Sequence, residues 1–69
     1  MKDLNSKIEA QRAQLHERRI LLYEARIYEL EMDIVALQAI SDDDGLQRKK
    51  TELESVRKAL EAVKAMRHD

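Results

Sequence analysis

The sequence predicts an all-α chain: a two-helix antiparallel coiled-coil hairpin that dimerises into a four-helix arrangement. Helix 1 is expected over about residues 3–40 and helix 2 over about 43–67. Three observations lead there. Proline is absent, glycine occurs once and 39% of the residues are charged, the composition of long helices and coiled coils. Apolar residues recur at heptad spacing on both sides of a single breaker, Ser41-Asp42-Asp43-Asp44-Gly45. Helix 1 also carries two apolar seams, and one neighbouring helix can cover only one of them.

Nothing from Asp3 to Ile40 interrupts a helix, and its Ala, Leu, Glu, Arg and Gln residues favour one. Such a helix is roughly 57 Å long at 1.5 Å per residue, a length that points to coiled-coil packing. The turn is expected within residues 41–45. Ser41 is one candidate cap for helix 2, with carboxylates following in the first turn. Asp44 is the other, with Gln47 completing a capping box. Gly45 can supply the left-handed residue that ends helix 1, and a continuous helix through Gly45 is the alternative to a turn. Helix 2 places Leu46, Leu53 and Leu60 with Val56 and Val63 at heptad a and d positions, Lys49 at a d position near the turn, and Ser55, Ala59, Ala62 and Met66 in a shallower stripe beside them. Glu54 and Lys58 form a favourably oriented i,i+4 pair.

The first seam of helix 1 is Ile20, Ile27 and Ile34 at a, with Tyr23, Leu30 and Leu37 at d. Toward the N-terminus it decays into His16, Ala13, Glu9 and Ser6. Its three heptads match those of helix 2. In an antiparallel pairing the e positions Glu24, Glu31 and Gln38 face Lys64, Arg57 and Lys50, and one register satisfies all three with the turn near Asp44. Leu30 with Leu60 and Leu37 with Leu53 fit nearly the same register. The rival is a parallel homodimer through this seam, in which Arg12, Arg19 and Arg26 at g face Glu17, Glu24 and Glu31 at e. Its core would then include Ser6, Glu9, Ala13 and His16, whereas a short turn holds helix 2 beside helix 1 at high effective concentration.

The second seam comprises Leu4, Ile8, Gln11, Leu15, Leu22, Ala25, Met32, Ala36 and Ala39, broadened by Leu21, Tyr28 and Val35 and interrupted by Arg18 and Glu29. It lies roughly opposite the first at 100° per residue. Residues 1–19 are expected to project beyond helix 2, which leaves an apolar stripe too long for a monomer to expose. An antiparallel dimer through helix 1 is the economical cover, and a different protein covering the seam of an assembly subunit is the alternative.

Composition excludes several chemistries. Without cysteine there is no disulfide, thiolate zinc site or thiol nucleophile. A formal charge of −1 gives no overall bias toward nucleic acid or anionic membrane. The balance is uneven along the chain, however. Residues 1–26 hold six basic and four acidic residues, residues 27–47 hold six acidic and none basic, and residues 48–69 hold seven basic and four acidic. No apolar run exceeds Ile20–Tyr23 in length, so neither a signal peptide nor a membrane span is expected and the location is expected to be cytoplasmic. The histidines, His16 and His68, are each preceded three residues earlier by alanine, which fails the Glu-x-x-His pattern of di-iron bundles. No cofactor, metal or catalytic site is expected. Asp42 to Asp44 read as helix capping, since they lack the spaced ligands of a calcium loop.

Arg12, His16, Arg19 and Arg26 form a basic ridge with Arg18 beside it and Tyr23 interleaved, a pattern that could contact nucleic acid. Glu9, Glu17 and Glu24 dilute it, and a solvated flank is the simpler reading. In length and heptad layout the chain resembles the Rop family of plasmid copy-number regulators, hairpins that dimerise into four-helix bundles and bind RNA on a basic helix face. No motif is shared, so no residue role is carried over. The functional expectation is a protein-interaction module acting as a homodimer with a further protein partner. A nucleic-acid-binding bundle using the basic ridge is second.

Overall fold

The computed structural model describes residues 2–66, with side chains from Ser6 onward. Leu4, expected at the second seam, and His68 therefore have side chains outside the described residues. Two helices account for the architecture, α1 over Lys2–Ala39 and α2 over Asp43–Ala65. They pack antiparallel into a rod of 60 × 16 × 10 Å, whose length is that of α1 alone. No helix among the described residues is long and apolar enough to cross a membrane.

The reversal is tighter than the 41–45 segment expected, and its chemistry differs. The left-handed residue that ends α1 is Ser41, at φ 57°. Its N–H donates to the Gln38 carbonyl at 3.2 Å, while the Asp42 N–H donates to the Leu37 carbonyl at 3.1 Å. These are the two bonds of a Schellman motif, which satisfies carbonyls the helix end would otherwise strand. Neither Ser41 nor Asp44 caps α2. Asp42 does, accepting a 3.0 Å hydrogen bond from the Gly45 N–H. Gly45 has no positive φ and lies in the first turn of α2. A Cβ there would come within 2.5 Å of the Asp42 carboxylate and 3.2 Å of Leu37 Cδ2. The glycine is needed for space rather than for backbone freedom, because the cap and the end of α1 both crowd it.

The first seam closes the hairpin. Leu30, Leu53 and Leu60 are buried, with Leu30 wholly so. Ile20, Tyr23, Ile27, Ile34 and Leu37 on α1 are half-buried, as are Leu46, Val56 and Val63 on α2. The seam also runs further back than its apolar residues suggest, since Ala13 and His16 are half-buried too. Glu31 and Arg57 approach to 3.8 Å across one flank. On the other flank Arg26 hydrogen-bonds Glu52, and Lys49 Nζ sits 3.6 Å from Asp33. These flanks bracket a core that holds Leu30, Leu53 and Leu60. The turn itself is centred near Ser41 and not Asp44. Of the three expected flank pairs, Glu31–Arg57 is an ion pair, whereas Glu24 and Lys64 make none among the described residues.

Candidate interaction surface

The face of α1 opposite α2 is apolar and bare. Leu15, Leu21, Leu22, Tyr28 and Val35 are each 58–66% exposed, and Ile8 and Met32 are exposed as well. Ala25, Ala36 and Ala39 lie open between them. Monomeric chains seldom leave so long a run of large apolar side chains in water. Two shallow depressions fall on this face, one lined by Lys7, Ile8, Ala10, Gln11 and Gln14, the other by Leu15, Arg18, Arg19 and Leu22. Ile40, at the turn, and Met66, at the end of α2, are exposed as well.

The reason lies in the sequence. Because α1 distributes apolar residues on two sides, a single helix packed against it satisfies half of them. In α2 the apolar residues gather on one stripe and the charged ones on the other, so one contact suffices.

The basic ridge is largely drawn into the hairpin. Arg26 hydrogen-bonds both Glu52 and, at 3.3 Å, Glu29. The Glu52 bond raises the Arg26 pKa against a smaller desolvation penalty, and the same bond holds the Glu52 carboxyl below the usual glutamate range. His16 Nε2 lies 2.8 Å from the Val63 carbonyl, at the C-terminal end of α2 where carbonyls lack helical partners. That carbonyl also accepts the Met66 N–H at 3.1 Å. Arg19 lies over the Tyr23 ring, 5.9 Å from its centroid, within cation–π range. Arg12 is exposed near the free end of α1. The Arg26–Glu52 and His16–Val63 contacts were not singled out in the sequence. Arg26 and Glu52 both occupy g positions and face one another once the register is fixed, so the first was recoverable from the heptads. The second was not, since it depends on where α2 stops.

No group of three or more His, Asp or Glu among the described residues could hold a metal ion. The fold and surface define a two-helix hairpin with one helix apolar on both faces. No protein-family model, curated protein or solved structure matches the chain. The likeness to Rop accordingly stays one of length and heptad layout.

Proposed function

We propose that the chain is a non-enzymatic protein-interaction module, a small regulator, adaptor or inhibitor, that works as a homodimer through the outer stripe of α1. The supporting observation is the stripe itself: large apolar side chains from Ile8 to Val35 stand exposed on a helix whose other face is already occupied. Burying each is worth about 1.5–3 kcal/mol. A hairpin with three buried leucines has little stability to spare, and small domains commonly gain the remainder by association. The N-terminal part of α1 that extends past α2 offers a further helical surface for helix-in-groove recognition of another protein. The basic ridge supports nucleic-acid binding less well, because Arg26 and His16 are already engaged with α2.

Sedimentation equilibrium at roughly tens of micromolar protein tests this reading, on the scale of ordinary reversible dimers. The wild-type chain should have dimer mass, and the Leu15→Glu/Leu22→Glu chain should have monomer mass with its helical circular dichroism retained. A monomeric wild type overturns the homodimer. A variant that stays dimeric moves the interface off this stripe.

A further inference from the structure

The outer stripe of α1 has two polar interruptions, Arg18 and Glu29, and their placement specifies how a second copy can dock. The two are eleven residues apart, three helical turns, so they share one line on the helix. We infer that the stripe is built for a second copy of this chain, bound antiparallel with Leu22 opposite Ala25 of the second copy, so that Arg18 and Glu29 pair reciprocally across the two-fold axis. This rests on the proposed homodimer and adds its orientation and register.

Every layer of that register is complementary. With Leu22 set opposite Ala25, Leu15 meets Met32, Ile8 meets Ala39 and Gln11 meets Ala36. Arg18 then meets Glu29, twice, by symmetry. The N-terminal half of the stripe carries the larger side chains and the C-terminal half the alanines, so large faces small along most of the interface. Charge agrees: residues 8–20, three bases to two acids, lie along 27–39, which has three acids and no base.

The alternatives fail on the same two residues. A parallel, in-register dimer stacks Arg18 on Arg18 and Glu29 on Glu29. Sliding the antiparallel pair by one heptad sets Glu29 against Ala25 or Gln11, and Arg18 against Ala36 or Leu22, which leaves both charges desolvated without an opposite charge. A polar group in an otherwise apolar seam is the best-attested device for fixing register. Glu29 is already oriented for this. It accepts from Arg26 at 3.3 Å and is exposed on the outer side, while Arg18 makes no ion pair among the described residues.

The test is a charge swap read by sedimentation equilibrium, with circular dichroism to confirm that each hairpin is folded. Arg18→Glu and Glu29→Arg should each weaken the dimer by at least about tenfold, since each sets like charges together in both reciprocal layers. The double variant Arg18→Glu/Glu29→Arg should recover dimerisation to within about threefold of wild type. A second measurement covers the case in which Glu29→Arg disturbs its neighbour Arg26. The chain has no cysteine of its own, so Leu15→Cys and Met32→Cys chains can be oxidised separately and mixed. The mixture should give a cross-linked heterodimer and each chain alone should not. A wild-type dimer without rescue in the double variant, or with Leu15→Cys linking to itself, overturns the register and leaves the homodimer standing. A monomeric wild type overturns both, and assigns the stripe to another partner.

Discussion

Replacing Leu30 with alanine and, separately, Leu22 with alanine should damage the protein in different ways. Both are leucines in the middle of α1, eight residues apart. Leu30 is 0% exposed within the hairpin, whereas Leu22 is 58% exposed in the outer stripe. For Leu30→Ala the loss is the transfer free energy of the removed carbons plus the cavity left behind, about 2–5 kcal/mol. The site has little scope to collapse, because Leu53 and Leu60 are the other buried residues and both extend from one rigid helix. In a domain of this size each kcal/mol lowers Tm by about 4–8 °C, so a fall of at least about 8 °C is expected. It should appear at every protein concentration.

Leu22→Ala leaves the hairpin core intact. In dilute protein its Tm should stay close to that of the wild type, whose outer stripe is then equally uncovered. In concentrated protein the wild type should melt higher than the variant, because association stabilises the folded form by mass action. The assay is thermal unfolding by circular dichroism across about a hundredfold range of concentration, enough to move a dimer equilibrium substantially. If Leu30→Ala costs less than about 1 kcal/mol, its face is not the core. If Leu22→Ala lowers Tm equally at all concentrations, the two faces are not separable and the bifacial reading of α1 is wrong.

Three further substitutions test the turn and the helix flank. Ser41→Gly should stabilise the chain by about 1 kcal/mol in urea unfolding, since serine bears the left-handed cost at φ 57° that glycine avoids; a destabilised variant would mean that the reversal is built differently. Gly45→Ala should yield none of the roughly 1 kcal/mol that alanine ordinarily gains over glycine in a helix, because its methyl meets the Asp42 carboxylate and disturbs the cap. Finally, Glu52→Gln should flatten the acid limb of stability against pH. The Arg26 hydrogen bond lowers the folded pKa of Glu52, so the unfolded chain binds more protons at this site. The contribution is complete above the ordinary glutamate pKa of about 4.3 and is lost as pH falls through the lower folded value. A Glu52→Gln chain with an unchanged acid limb would show that the pair does not persist in solution.

The all-helical hairpin was legible in the sequence because its signals agree: no proline, heptads on both sides of one breaker, and charges that favour antiparallel packing. The chemistry of the turn was less so. Five consecutive turn-forming residues, Ser41 to Gly45, allow several placements. Glycine is the habitual left-handed residue, which directs attention to Gly45. The chain instead uses Ser41 there and reserves the glycine for a crowded position. That choice depends on how closely Leu37 and the Asp42 carboxylate approach, a tertiary fact without a local sequence mark. The inward turn of His16 was hidden for the same reason. A histidine after a decaying seam reads as the end of a coil, yet it meets the last carbonyls of α2 because α2 is long enough to reach it. The outer stripe of α1, by contrast, follows from periodicity alone.

Arg26 gives the two faces a physical connection. It lies between them on α1, donating to Glu52 of α2 on one side and to Glu29 of the outer stripe on the other. Arg26 is thus paired on both sides, with Glu52 across the hairpin and with Glu29 within α1. The same geometry explains why the basic ridge is a poor electrostatic surface. Its last member, Arg26, is paired with two carboxylates, and His16 faces a backbone carbonyl, so what remains outward is mostly Arg12 and Arg19 among glutamates. His16, Arg26, Glu31 and Asp33 are the polar side chains by which α1 reaches α2, and the apolar stripe on its other side is left outward.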